Sequence, residues 1–156
     1  MPEPAVGPVM TAQELEAYLH DRIPLTRAME IKVRAAGIDG VELHAPLAPN
    51  INHRDTVFGG SASAVAIVAA WSALHVRMRA AGLDVRLVIR RNTMSYERPI
   101  ATGFTATAAP PVGDAWDKLV ATVERGRPAR VNVKAQLHCA GQLVGELDGE
   151  FAVLPR

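Results

Sequence analysis

The sequence predicts an α+β fold, in which a curved antiparallel sheet wraps around one long helix. Three observations predict it. From Gly59 to Leu74 no side chain can ionise, and apolar residues occupy nearly every helical face; such a helix is buried almost completely. On both sides of it the chain alternates apolar and polar residues, the period of strands with one buried face. Short glycine-containing turns join several of those segments, so neighbours pair antiparallel. One sheet cannot cover the whole apolar helix, and a second copy of the chain is the obvious further cover.

Each element follows in order. Thr11-Ala-Gln-Glu14 reads as a capping box that opens a first helix, which Pro24 stops. Two alternating runs come next, Met29, Ile31, Val33 and Ala35, then Val41, Leu43 and Ala45, joined at Gly37–Gly40 as a hairpin. The central helix is expected from Gly59 to Ala81, with Gly82 as its stop. Residues 85–98 read as a long strand ended by Pro99, with 103–109 as its antiparallel neighbour. Asp114–Glu124 reads as a helix with Trp116, Leu119, Val120 and Val123 inward, and two strands over 131–139 and 143–153 close the chain. The 156 residues fit a single domain, with residues 1–10 as a loosely ordered extension.

Composition excludes several classes. A net charge of +1 and few aromatics leave no footprint for nucleic acid. The first residues lack the basic and apolar regions of a signal peptide. The run Ala62–Leu74 is too short to span a bilayer, so no membrane partner and a cytoplasmic location are expected. Cys139 is the lone cysteine and the five histidines are scattered, so neither a disulfide framework nor a metal set is expected, and no cofactor.

The segment Asn50–Gly60 carries the chemistry. A polar, glycine-ended loop that feeds a buried helix aims that helix's free N–H groups and positive dipole end at whatever binds there. That geometry suits a polarised carbonyl; the alternative is that Gly59-Gly60 serves only as a tight turn. Thr56 and Ser61 fit as a loop bridge and a helix N-cap, and Asn52 as a turn residue bonded to its own backbone. Trp71 and Tyr96 fit core or pocket wall.

Ala48-Pro-Asn-Ile-Asn52, Thr56-Val-Phe58-Gly-Gly60-Ser61, Trp71, Tyr96-x-x-Pro99, Arg125-Gly-Arg127 and Gln136-Leu-x-Cys139…Asp148-Gly149-x-Phe151 together resemble the hotdog superfamily of acyl-thioester enzymes. More narrowly, the chain is similar to the family associated with malonyl-acyl carrier protein decarboxylase activity and also labelled thioesterase. That resemblance implies a homodimer, with tetramers left open, and an active site near the subunit boundary under the N-terminus of the central helix. It implies that Asn52 and Gly60 act at the reacting thioester. His53, Asp55, Thr56, Phe58, Gly59, Ser61, Met94 and Tyr96 would line the substrate, with residues of the partner subunit, near Met94–Tyr96, completing the pocket. The substrate would be a thioester of acyl carrier protein or coenzyme A.

Two departures matter. Phe58-Gly-Gly60 stands where many hotdog thioesterases have His-Gly-Gly, and Val65-Ala-Ile67-Val68 has no carboxylate where many carry one. Hydrolysis needs a base to activate water, for which His53, Asp55 and Glu97 are the candidates. Decarboxylation of a malonyl thioester needs only donors for the developing enolate oxygen. The residues therefore favour decarboxylation, and the resemblance implies that it supplies acetyl primers for fatty-acid synthesis; thioester hydrolysis and a non-catalytic acyl-thioester-binding module are the alternatives.

Overall fold

The computed structural model describes residues 7–156. Helices α1 (Ala12–Arg22) and α2 (Pro24–Ala28) precede strands β1 (Lys32–Gly37) and β2 (Gly40–Ala45). A loop leads into helix α3 (Gly59–Ala80), followed by β3 (Val85–Tyr96), β4 (Phe104–Ala108), helix α4 (Gly113–Glu124), β5 (Ala129–Cys139) and β6 (Gln142–Pro155). The strands form one six-stranded sheet, antiparallel throughout, in the order β1-β2-β4-β5-β6-β3. Helix α3 touches every strand of it. This is the hotdog architecture that the apolar helix and the alternating runs predict.

Local chemistry sets the elements. Thr11 caps α1 by accepting from the Glu14 N–H at 3.1 Å, which leaves Leu15 and Leu19 fully buried against the core. Each contributes roughly 2–3 kcal/mol by leaving water. Gly82, at φ +72°, turns the chain out of α3 as expected. The β1–β2 hairpin closes with Gly37 opposite Gly40. Trp116, Leu119 and Val123 of α4 join Met78 and Val153 in a second apolar cluster beyond the C-terminal end of α3.

Several expectations need correcting. Strand β4 does not neighbour β3; it pairs with β2 and β5, and β3 pairs only with β6, at the sheet edge. Adjacent segments in the chain need not pair when the loop between them, residues 97–103, is long enough to cross the sheet. The first strand begins at Lys32, because Pro24 starts a second helix and Glu30 takes a left-handed turn at φ +56°. A register shift between Val33 and Ala35 then leaves Ala35 exposed. In β6 a similar shift buries Val144 and exposes Leu143. Helix α3 is not buried all round: Gly60, Ala64, Ile67, Trp71, His75 and Arg79 form a partly exposed stripe at close to helical spacing.

Helix α3 also extends the apolar run to 22 residues, long and apolar enough to cross a bilayer by length and composition. Its packing inside the sheet, rather than its length, identifies it as a core helix. Of the N-terminal extension, residues 1–6 lie outside the described residues. The rest is tied down: Gly7 donates to the Ala80 carbonyl at 2.7 Å, and Met10 is buried in the core.

Candidate functional site

The loop that enters α3 is a miniature hairpin. Ile51 bridges Val57 across it, and the Asn52 N–H donates to the Thr56 carbonyl at 2.7 Å. Asp55 turns the tip in a left-handed conformation, φ +61°, which aspartate tolerates better than most side chains. The loop is anchored at both ends. Val57 donates to the Ile100 carbonyl and Phe58 to the Asn50 carbonyl, each at 2.8 Å. Asn50 is itself buried, with its amide on the Met29 and Pro46 carbonyls.

The Asn52 amide knits this hairpin from inside. Its Nδ2 donates to Thr56 Oγ1 at 3.0 Å and to the Val57 carbonyl at 3.4 Å. Its Oδ1 accepts from the Arg54 and Thr56 N–H groups at 2.8 and 3.2 Å. All of its polar capacity is used locally. Thr56 Oγ1 receives the Asn52 proton and keeps its own, either for Asn52 Oδ1 at 3.3 Å or for a ligand.

Helix α3 begins without a side-chain cap. Ser61, expected as the cap, lies inside the helix, and Phe58 takes the cap position. Among the described residues the N–H groups of Gly59, Gly60 and Ser61 have no partner, whereas that of Ala62 returns to the Phe58 carbonyl. Three free donors at the positive end of a helix favour an anion or a developing oxyanion. Gly60 accommodates the Phe58 ring, whose edge occupies the place a β-carbon would take.

A cavity of about 330 Å³ opens at this helix end. Thr56, Val57, Gly59, Ala62, Met94, Tyr96 and Glu97 line it, together with Arg98, Pro99, Ile100, Leu137 and Val144. The Tyr96 hydroxyl stands 3.9 Å from where a β-carbon on Gly59 would lie. The structure thus gathers Thr56, Gly59, Met94 and Tyr96 of one chain around this cavity. Asn52 stands one hydrogen bond behind the wall, at Thr56. His53 and Asp55 are exposed on the hairpin, the Phe58 ring is over half exposed, and neither they, Gly60 nor Ser61 lines the cavity. Glu97, a base candidate from the sequence, and Arg98, legible there only as a strand-end charge, both stand on the cavity lining just past the end of β3.

A curved antiparallel sheet around one long helix, with a cavity at that helix's N-terminus, defines a hotdog-fold protein. The chain belongs to the family described as "Putative thioesterase (yiiD_Cterm)", whose model matches residues 12–155. It is similar to a structure from Shewanella oneidensis described as a "putative thioesterase", at 26% identity and TM-score 0.82, covering 92% of this chain and 97% of that one. A Chlorobaculum tepidum protein of unknown function superposes at TM-score 0.88 with 22% identity over 95% and 99% of the two chains. A Haemophilus influenzae thioesterase does so at 0.75 with 15% identity, over 97% and 95%. The last two share the fold. No curated protein sequence matches the chain.

Proposed function

We propose that the chain is an acyl-thioester enzyme that decarboxylates malonyl thioesters, malonyl-acyl carrier protein foremost, to acetyl thioesters for fatty-acid synthesis. The observation that carries this reading is the cavity at the uncapped start of α3, lined by Gly59 and Thr56, with one carboxylate and no histidine among its described lining residues. The substrate's thioester oxygen would take the Gly59 N–H and the Thr56 hydroxyl, with the Gly60 N–H next to it at the same helix end. The bond to the carboxylate carbon then breaks and carbon dioxide leaves. Its electron pair becomes an enolate with charge on the thioester oxygen, and a proton from water completes the acetyl group. No base acts in the bond-breaking step. Each donor removes about 3 kcal/mol of barrier. Asn52 acts through Thr56 by holding its hydroxyl in place, and Arg98 at the mouth attracts the malonate carboxylate.

We propose the working form as a homodimer. Strand β3 leaves an unpaired sheet edge, and Ile51, Phe58, Val88 and Tyr96 expose large apolar surface beside it or near the cavity. The basic residues Arg91, Arg125, Arg127 and Arg130 are exposed and suit an acidic carrier; Arg90 is already paired with Glu150.

One observation favours hydrolysis as a second reading: Glu97 lies on the cavity wall, where a carboxylate could activate water. The variant Glu97→Gln separates the two. With acetyl-thioester formation and free thiol followed separately, decarboxylation stays within about threefold of wild type if no base is needed. A loss of thiol release by about 100-fold or more, with little acetyl thioester from either protein, would establish Glu97 as the base of a thioesterase.

A further inference from the structure

The cavity at the start of α3 has a closed end as well as a mouth. Tyr96, Glu97, Arg98 and Pro99 are exposed and frame the mouth, whereas Ala62, Ile100, Leu137 and Val144 are buried and close it from behind. Met94 joins the wall, half-buried and packed against the core. The closed end belongs to a single chain. A second copy over the β3 edge adds wall on the open side and leaves these buried residues in place.

The shape of that end depends on a missing side chain. Leu137, Gly145 and Tyr96 stand in register on β5, β6 and β3, as do Ala135, Leu147 and Met94 two residues further along. Residues opposite one another in a sheet share a face, and the burial of Leu137 and Leu147 turns this face towards α3. Gly145 therefore leaves a gap on the inner face between Leu137 and Tyr96. Its φ lies outside the left-handed region, so space rather than backbone freedom calls for glycine. A β-carbon there would lie 3.1 Å from Met94 Cε, 3.5 Å from Leu137 Cδ1 and 3.0 Å from the Ser95 carbonyl oxygen. The Met94 methyl is seated in the gap. Met94 lines the cavity, while its registered neighbours Ala135 and Leu147 do not.

Volume decides what fits. Liquid water takes about 30 Å³ per molecule, so 330 Å³ holds roughly eleven atoms of similar size. A malonyl group with its sulfur has seven non-hydrogen atoms, and a dodecanoyl group with its sulfur has fourteen. We propose that Met94, seated against Gly145, limits the depth of the cavity, so that the site takes acyl groups of about six carbons or fewer and rejects long chains. Shortening Met94 opens the cavity towards the Ala135–Leu147 row. The limit rests on the reading of this cavity as the acyl-thioester site, and it holds for a decarboxylase and a thioesterase alike.

Inert thioethers test the limit without any reaction. Butyl and dodecyl thioethers of acyl carrier protein and of coenzyme A are titrated into the full chain by calorimetry. On the carrier that binds more tightly, wild type should hold butyl at least tenfold tighter than dodecyl. Met94→Ala should bring dodecyl to within about threefold of butyl. If that variant unfolds too readily to titrate, Met94→Val makes a smaller cut on a residue type that suits a strand, and should narrow the gap at least threefold. The proposal is overturned by wild type binding dodecyl as tightly as butyl, by no thioether binding on either carrier, or by a folded Met94 variant with the wild-type ratio. Malonyl-acyl carrier protein given to the same wild-type protein separates the two failures. Acetyl thioester with no chain-length limit removes the limit alone, and a limit without acetyl thioester removes decarboxylation alone.

Discussion

Asn52 shows how far a single residue can be read. As a sequence symbol it fits both a turn former and a direct donor to substrate. The structure gives it the turn former's bonds, and those same bonds hold Thr56 at the cavity wall. Thr56→Val removes the hydroxyl and keeps the shape, so turnover of malonyl thioester should fall about 100-fold at nearly unchanged KM. Asn52→Ala should lower turnover and loosen the hairpin together; a fall for Asn52→Ala without one for Thr56→Val would restore Asn52 as the direct donor. The surroundings of His75 are legible only in part: Trp71 and Arg79 stand one turn away on the same helix, whereas Tyr18, whose ring stacks on the imidazole with centroids 4.6 Å apart, comes from α1, far away along the chain. Burial, helped by Arg79, lowers its pKa from 6.5 to about 4, and its Nε2 has no partner among the described residues. Folded protein therefore holds His75 neutral where unfolded chain would protonate it. Stability should be full above pH 6.5 and fall as pH drops from there towards 4. His75→Phe keeps a ring in the stack and cannot titrate, so urea unfolding at pH 7.5 and pH 5 should show a smaller loss for the variant. An equal loss in both proteins would remove His75 from the pH dependence.

Elements are legible where one period runs uninterrupted. Helix α3 and its stop at Gly82, the hairpin at Gly37–Gly40 and the amphipathic α4 all follow from spacing alone. Pairing order does not, because alternation reports which face of a strand is buried and says nothing of its neighbour. That is why β4 lies beside β2 and β5 instead of β3. The register shifts at Val33/Ala35 and Leu137/His138 are equally silent, since each bulge swaps the exposed face midway. The junction of loop and α3 combines both cases: the sequence marks the double glycine, and only the fold shows that the Phe58 ring lies over Gly60. The ring is exposed and able to swing away. Gly60→Ala should therefore change stability by less than about 1 kcal/mol, since alanine also favours the helix. It should still lower turnover about tenfold or more by crowding the free N–H groups. Unfolding curves beside rates decide this, and a variant with wild-type turnover would place the working donors away from Gly60.

At the scale of the whole molecule, the fold wraps one helix and leaves a stripe of it and the β3 edge uncovered. The apolar pattern of α3 calls for more cover than one sheet supplies, and the exposed stripe is where a second copy has surface to bury. Light scattering at low micromolar concentration should give at least twice the mass of one chain, and Val88→Lys on the open strand should shift it towards the monomer. A stable wild-type monomer would contradict the dimer. The reaction at the helix N-terminus is decided by mass spectrometry of malonyl-acyl carrier protein incubated with the purified chain. The carrier should lose the mass of one carbon dioxide and keep an acetyl group on its thiol. Carrier that returns as free thiol, with malonate released, would contradict it.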